Sequence, residues 1–250
     1  MFEQNDIQMI AIWGSPNAGK TLTSVRIVKA LADRKQDVIL VLPDLVCPML
    51  PVLLPMQTLH GESLGELMAG GEVTQEKILN ACILPGRAEH LSLIGYKKGE
   101  NICTHADYTR ERAVDLFILL RHLARYVVVD CSSVLSTDML SIVAMESADK
   151  VLRLGHCELK SVSFFKSQMP LLMDRRYQME SQIKVLSNIK NDSPRREMIE
   201  AFGGIDAEIP HVDELDECMQ SGRVFEHLKT KEGRLYERGI ENLIKAVLAG

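Results

Sequence analysis

The stretch that decides the fold of this 250-residue chain is Gly14-Ser15-Pro16-Asn17-Ala18-Gly19-Lys20-Thr21. An apolar run, 7–13, precedes it and reads as a buried strand. The segment after it has apolar residues at helical spacing, among them Leu22, Val25, Val28 and Leu31. The order of strand, glycine-bounded loop and helix predicts a phosphate-binding loop with the pattern G-x-x-x-x-G-K-[ST].

Each part of this loop has a chemical reason. Gly14 and Gly19 permit backbone conformations in which successive N–H groups turn towards phosphate oxygens, and the helix N-terminus adds its free amides. Lys20 is expected to reach the β- and γ-phosphates, and Thr21 to place its hydroxyl on Mg²⁺. The purely structural alternative is a glycine turn that joins a strand to a helix and binds no ligand. The predicted nucleotide contacts are Gly14, Ser15, Pro16, Asn17, Ala18, Gly19, Lys20, Thr21 and Leu22.

Composition is that of a globular protein, with 46% hydrophobic and 25% charged residues. No linker or internal repeat divides the chain, so we expect one domain over 1–250. The formal net charge is −5 and the sequence pI is about 5.8, which disfavours binding to a polyanion such as DNA. The six cysteines lack metal-ligand spacing and read as reduced thiols. With no signal core and no apolar run long enough to span a bilayer, the expected location is cytoplasmic.

The segments after the loop alternate between buried strands and amphipathic helices. Strands are predicted over 37–42, 91–94, 126–130, 150–154, 183–188 and 205–209. Helices are predicted over 61–70, 74–82, 109–125, 137–147, 158–175 and 231–248, with a short one before the last strand. Apolar strands that follow helices indicate a parallel sheet covered on both faces. The predicted fold class is therefore α/β, a mostly parallel twisted sheet with helices on both faces.

Residues 43–56 are apolar but contain four prolines, which exclude a regular helix or a central strand. One interpretation is a loop packed onto the domain. The other is an apolar surface at 45–56 that binds a protein partner.

A second chemical signal is the apolar strand 126–130, which ends in Asp130. A carboxylate at a strand end downstream of a phosphate loop is typical of a Mg²⁺ site in phosphate-loop nucleoside triphosphatases. Taken alone, it would be an ordinary polar strand end. Together, the two motifs predict ATP and Mg²⁺ as cofactors, with Thr21 and Asp130 at the metal.

The order of these motifs resembles the ParA/MinD family of phosphate-loop ATPases along essentially the whole chain. The features that carry the resemblance are the N-terminal loop, an Asp after the second strand, the strand ending at Asp130, and the stretches Leu-Ser-Asn (186–188) and Ile-Pro-His-Val-Asp-Glu-Leu (209–215). The resemblance implies an ATPase that forms a homodimer under nucleotide control. Lys20, Asp44 and Asp130 match the family's catalytic positions, with Asp44 orienting the attacking water. Asn188 matches the adenine-contacting asparagine, and Pro210 begins the segment that lines the base.

The chain departs from that pattern at Ser15, where the family's deviant Walker A motif has a lysine that crosses the dimer interface. A cation supplied to a transferring phosphoryl group is worth about 10³ to 10⁵ in rate, so hydrolysis is expected to be slow. Cys131-Ser132-Ser133 also replaces the family's Pro-Ala-Gly turn. Arg87, Lys97 and Arg112 are candidates to replace the lysine.

Four functions therefore stay open. The first is a weak ATPase that positions a cellular apparatus, such as a pilus, secretion, conjugation or partition system. The second is a pseudo-ATPase scaffold that resembles the TadZ/CpaE branch. A plasmid-partition DNA-binding ATPase and a metabolic kinase are weaker alternatives.

Overall fold

Seven strands of this chain pair into one sheet in the computed structural model, which describes residues 7–55, 60–86, 88–190 and 193–249. The strands are β1 (Met9–Gly14), β2 (Val38–Leu42), β3 (Leu91–Gly95), β4 (Tyr126–Asp130), β5 (Lys150–His156), β6 (Ile183–Ile189) and β7 (Ala207–Pro210). Their order across the sheet is β3-β2-β4-β1-β5-β6-β7, and every pairing is parallel. The predicted α/β fold with a parallel sheet is confirmed.

Helices cover both faces of this sheet. They are α1 (Lys20–Asp33), α2 (Leu50–Leu53), α3 (Leu64–Ala69), α4 (Gln75–Ala81), α5 (Arg110–Leu123), α6 (Met139–Ser147), α7 (Leu159–Gln168), α8 (Arg195–Phe202), α9 (Asp213–Gln220) and α10 (Lys231–Leu248). One apolar layer packs α1 and α10 on the sheet, and the other packs α5 and α6 on the opposite face. Alternate residues of β1 enter the two layers, which is why the strand has no polar side and reads as a continuous apolar run.

The position of β1 organises the functional edge of the molecule. It lies at the middle of the sheet, paired with β4 on one side and β5 on the other. The chain leaves β1 for β2, beyond β4, and later returns to β5 on the opposite flank. Such a reversal opens a crevice at the carboxyl ends of the strands. The loop after β1, the end of β4 and the ends of β5 and β6 therefore converge there.

The helices differ from the prediction in two places. The helix predicted over 158–175 ends at Gln168 and continues as two short 3-10 turns, Met169–Leu172 and Arg175–Tyr177. Pro170 accounts for the break, because proline has no N–H to donate and its ring clashes with the carbonyl four residues earlier. Helix α9 was not predicted, because its acidic sequence buries only Leu215 and Cys218.

The proline-rich segment after β2 is largely packed against the domain. Contrary to the expectation of no helix, residues 50–53 form the single turn α2, which tolerates Pro51 in its first turn. The side chains of Leu50, Leu53 and Leu54 are buried in the core layer that contains α1. Val46 and Val52 point outwards, with 73% and 39% of their surface exposed. Residue 56, the end of the predicted partner surface, lies outside the described residues.

Among the described residues, no helix combines the length and the apolar character that crossing a membrane requires.

Candidate functional site

The loop between β1 and α1 is held tightly against β5. The Ser15 N–H donates to the Leu154 carbonyl at 3.1 Å. A Cβ added at Gly14 would lie 2.0 Å from that same carbonyl oxygen, so only glycine fits there. Asn17 and Gly19 both have positive φ, 62° and 71°, and Gly19 is the N-cap of α1 with no side-chain cap. The first N–H groups of α1 have no intrahelical acceptor, and the loop therefore offers free donors at its concave side.

The Lys20 ammonium is anchored within the loop. It donates to the Ser133 hydroxyl at 2.6 Å and to the Ser15 carbonyl at 3.5 Å. Ser133 in turn donates to the Gly14 carbonyl at 2.8 Å. Burial lowers the pKa of Lys20, and the nearby carboxylates of Asp130 and Asp44 oppose that shift. The ammonium thus lies in a confined position where an anion would be a strong partner.

Asp130 ends β4 beneath the start of α1. Its two carboxylate oxygens accept hydrogen bonds from the Thr21 hydroxyl at 2.6 Å and the Ser24 hydroxyl at 3.1 Å. Burial raises the pKa of Asp130 to about 6, although Lys20 and the two hydroxyl donors counteract it. A hydroxyl beside a buried carboxylate is an all-oxygen donor set, which is the kind that Mg²⁺ takes. Thr21 and Asp130 therefore fit the predicted metal.

A cavity of about 350 Å³ opens directly beside this loop. Its walls come from the phosphate loop with α1, the ends of β6 and β7, and helices α9 and α10. The lining residues are Asn17, Gly19, Lys20, Thr21, Leu22, Thr23, Met49, Ser187, Asn188, Ile209, Pro210, His211, Val212, Leu215, Asp216, Met219 and Tyr236. The structure thus brings the predicted base contacts Asn188 and Pro210 into the same cavity as Lys20 and Thr21.

Asn188 is held at the far end of this cavity. Its backbone is left-handed, with φ 55°, at a register irregularity of the pairing between β6 and β7. The Asn188 amide lies between two histidines, 3.1 Å from His156 Nε2 and 2.6 Å from His211 Nδ1. His211 also contacts Asp213 through Nε2, at 2.8 Å.

Several predicted nucleotide contacts lie outside this cavity. Gly14 and Ala18 are buried behind the loop, where the Ala18 carbonyl accepts a hydrogen bond from Ser187. The Ser15 side chain is also buried, 2.9 Å from the Ser161 hydroxyl at the start of α7. Pro16 borders a second cavity, of about 370 Å³, on the α7 side of the loop.

Asp44 is engaged by its own loop. One carboxylate oxygen accepts from the N–H groups of Val46 at 2.8 Å and Cys47 at 3.1 Å, which forms a turn stabilised by the side chain. Asp44 is not among the residues that line the 350 Å³ cavity, although it lies near enough to Lys20 and Asp130 to influence the pKa of both.

The candidates to replace the lysine missing at position 15 have partners elsewhere. The Lys97 ammonium donates to Glu66 at 2.7 Å. Arg112 donates to the carbonyls of Leu67 and Gly71, at the end of α3. Arg87 lies outside the described residues.

Sequence reasoning missed the polar residues that support the loop from behind, which are Ser24, Ser133, Ser161 and Ser187. Ser24 could have been found from its place four residues after Lys20, one turn along the same helix face. Ser133, Ser187 and His211 lie in stretches that the sequence analysis quotes, but no spacing indicated their contacts with the loop or with Asn188. Ser161 and His156 come from distant segments and gave no local signal.

Comparison with known proteins rests on structure alone, since no family model and no curated protein matched the sequence. A ParA family ATPase from Chlorobium tepidum superposes with a TM-score of 0.77 at 17% identity, over 96% of this chain and 98% of the other. The MinD cell division protein of Aquifex aeolicus gives 0.72 at 18% identity, over 95% and 96%. The septum site-determining protein MinD of Pyrococcus horikoshii, complexed with Mg-ADP, gives 0.70 at 17% identity, over 96% of both chains.

These similarities extend over nearly the entire length of each chain, so they concern the architecture as a whole. The chain therefore has the ParA/MinD-like fold of the phosphate-loop ATPases.

Proposed function

We propose that this chain binds ATP with Mg²⁺ and uses the nucleotide to control formation of a homodimer that positions or assembles a cellular apparatus. The observation that carries the proposal is the 350 Å³ cavity, which joins the phosphate loop to Asn188 and Pro210. One end offers a cation and free backbone donors, and the other offers an amide beside apolar walls. A nucleoside triphosphate has the matching polarity along its length.

In this proposal, the triphosphate lies over the first turn of α1. Lys20 leaves its hydrogen bond with Ser133 for the β- and γ-phosphate oxygens, exchanging a neutral acceptor for an anionic one. Thr21 and Asp130 would hold Mg²⁺, which would supply positive charge to neutralise the phosphates during transfer. The MinD of P. horikoshii was solved with Mg-ADP, which supports this cofactor pair for a chain of the same fold.

Hydrolysis is proposed to be slow. Ser15 offers no cation, and its hydroxyl is buried against Ser161. Lys97 and Arg112 are engaged elsewhere. The serine in place of a lysine at position 15 also favours a second candidate function. This is a scaffold that holds nucleotide without turnover, as the resemblance to the TadZ/CpaE branch suggests. Phosphate release in a single turnover, measured with enzyme in excess over labelled ATP, separates a slow ATPase from such a scaffold.

The test of nucleotide binding is titration calorimetry with ATP and Mg²⁺ on the full chain and on Lys20→Ala. We expect the variant to bind roughly 10- to 100-fold more weakly, because a charged hydrogen bond to phosphate is lost. Lys166→Ala is the matched control, since Lys166 is an exposed lysine on α7 that lines neither cavity. No binding by the unaltered chain would refute the proposal.

The homodimer and the partner are further parts of the proposal. Light scattering of the chain with and without ATP measures the change in mass on nucleotide binding. The protein partner is proposed to contact the outward side of 45–55, where Val46 and Val52 are exposed.

A further inference from the structure

A cavity of about 360 Å³ lies between the loop that follows β2, the segment that follows β3, and helix α6. Leu45 lines it from the first of these, Tyr96 and Tyr108 from the second, and Met139 from the third. None of the described residues that line this cavity also lines the 350 Å³ cavity or the 370 Å³ cavity. A ligand held here would therefore be distinct from the proposed nucleotide.

The Tyr96 hydroxyl is a buried polar group that lacks a partner. The residue directly follows β3 and has 1% of its surface exposed, and its hydroxyl makes no hydrogen bond with the described residues. Burial raises the pKa of Tyr96, and the nearby Tyr108 and Asp138 add to the shift, so the phenol keeps its proton. It can both donate and accept a hydrogen bond. A hydroxyl that has lost water without gaining a partner costs stability, which points to a ligand absent from the empty cavity.

One wall of this cavity, the His105 ring, is held in place by residues behind it. His105 Nε2 lies 2.8 Å from Glu100 Oε1, and the same oxygen accepts a hydrogen bond from the Ser63 hydroxyl at 2.6 Å. A Cβ added at Gly65 would lie 2.2 Å from the His105 Cδ2, so the glycine leaves room for the ring. The ring is fixed on two sides, and the cavity therefore has a preformed wall, as small-molecule sites usually do.

The lining combines rings and apolar side chains with negative charge. The rings belong to Tyr96, His105 and Tyr108, and apolar walls come from Leu45, Ile102 and Met139. Among the described lining residues there is no lysine or arginine, whereas Asp107 places a carboxylate at the exposed rim. Asp138 and Glu100 also lie near enough to raise the pKa of Tyr96, so the surroundings of its hydroxyl are negative. Such surroundings favour a cation, and aromatic rings are frequent partners of organic cations.

We propose that the 360 Å³ cavity binds an organic ammonium ion with an apolar body, which donates a hydrogen bond to the Tyr96 hydroxyl oxygen and has its charge offset by Asp107. This chemistry has two sources, a free amine and a lysine side chain of a protein partner. Because Leu45 and Met139 belong to different segments, the bound ion joins the loop after β2 to helix α6. The inference does not depend on the proposed nucleotide-binding function.

The experiment is an NMR titration of the full chain, in amine-free buffer, with three probes that share a ring and differ in charge. The probes are benzylammonium, benzyl alcohol and benzoate. We expect benzylammonium to bind with a dissociation constant of about 1–10 mM, the range open to a fragment of this size. The alcohol should bind about 10-fold more weakly and benzoate not measurably, because they lack the positive charge. Lysine with both main-chain ends blocked is a fourth probe, and tighter binding than that of benzylammonium assigns the ion to a protein partner.

Two variants test the named contacts. Tyr96→Phe should weaken benzylammonium binding about 5- to 10-fold, because a hydrogen bond to a charged group is lost. The same variant should raise the urea midpoint of the empty protein, because it removes a buried hydroxyl that has no partner. Asp107→Asn should weaken binding about 2- to 5-fold, the scale of an exposed charge. Asp115→Asn is its matched control, since Asp115 is an exposed carboxylate on α5 that does not line the cavity.

Opposite signs of the two Tyr96→Phe effects separate a ligand site from a structural tyrosine, whose hydroxyl stabilises the fold. A Tyr96→Phe chain that is less stable, or that keeps its affinity for benzylammonium, overturns the inference. Equal binding of the three ring probes overturns it as well, because the cavity then does not select a cation. Failure of both benzylammonium and blocked lysine to bind has the same consequence. None of these outcomes bears on ATP, which is proposed to bind in the separate 350 Å³ cavity.

Discussion

Replacing Asp130 by asparagine should make the metal-free protein more stable at neutral pH. Burial raises the pKa of Asp130 to about 6 from its ordinary value of 3.8. The folded state therefore binds the proton more tightly than the unfolded chain does, so the free energy of unfolding falls as the pH rises from about 3.8 to about 6 and stays lower above that range. At about 1.36 kcal/mol per pKa unit, this penalty is about 3 kcal/mol at pH 7.5 and falls to about 1 kcal/mol at pH 4.5. Asparagine removes it and keeps a side chain of the same shape.

The assay is urea denaturation in EDTA at both pH values. The stability of Asp130→Asn relative to the unaltered chain should fall by about 2 kcal/mol between pH 7.5 and pH 4.5. Comparing the two pH values cancels any effect of the substitution on stability that is the same at both. In contrast, Mg²⁺ with ATP should stabilise the unaltered chain much more than the variant, because the variant lacks the proposed metal ligand.

Asp138 provides the matched control. It caps α6 by accepting hydrogen bonds from Ser141, and burial raises its pKa to about 6 as well. Asp138→Asn should show a similar pH-dependent gain in stability yet keep the stabilisation by Mg²⁺ and ATP. If Asp130→Asn changes stability equally at both pH values, the reasoning about a buried and destabilised Asp130 carboxylate is wrong.

Two further predictions concern packing. Gly14→Ala should lower the free energy of unfolding by about 3 kcal/mol or more and weaken ATP binding, because the new Cβ would lie 2.0 Å from the Leu154 carbonyl oxygen. Gly239→Ala, whose Cβ would meet no atom within 4 Å beyond the adjoining helix backbone, should instead stabilise helix α10 by up to about 1 kcal/mol, and urea denaturation measures both. Leu53→Ala should cost about 2–5 kcal/mol, because the side chain is fully buried, whereas the exposed Val46→Ala should stay within about 0.5 kcal/mol. Equal effects of the last two would contradict the packed interpretation of the proline-rich segment.

The sequence predicted the features that depend on local pattern. The strand ending at Asp130 and the last helix have the predicted bounds, 126–130 and 231–248, because their apolar spacing is strong and their flanks are polar. Helix α9 was not predicted because it buries few residues and therefore has little apolar periodicity in its sequence. The predicted end of α7 is wrong because Pro170 ends the helix although the apolar spacing continues beyond it.

The candidate site was predictable only in part, for a different reason. Lys20 and Thr21 follow from a contiguous motif. Their supporting contacts, such as Ser133 beneath Lys20, join segments more than a hundred residues apart, and only the fold brings them together. The placement of His211 beside Asn188 depends likewise on the adjacency of β6 and β7, which no local spacing encodes.

The central place of β1 has a consequence for how this protein is made. As the chain leaves the ribosome, β1 emerges first, but its two neighbours in the sheet end at residues 130 and 156. The phosphate loop needs the Leu154 carbonyl to fix Ser15, and Ser187 to hold Ala18. The first strand of the sheet and the loop after it thus reach their final shape only after β4, β5 and β6 have been made, and β1 stays unpaired until then. Such long-range pairing forms slowly, and the unpaired apolar strand is prone to aggregation until its neighbours have been made.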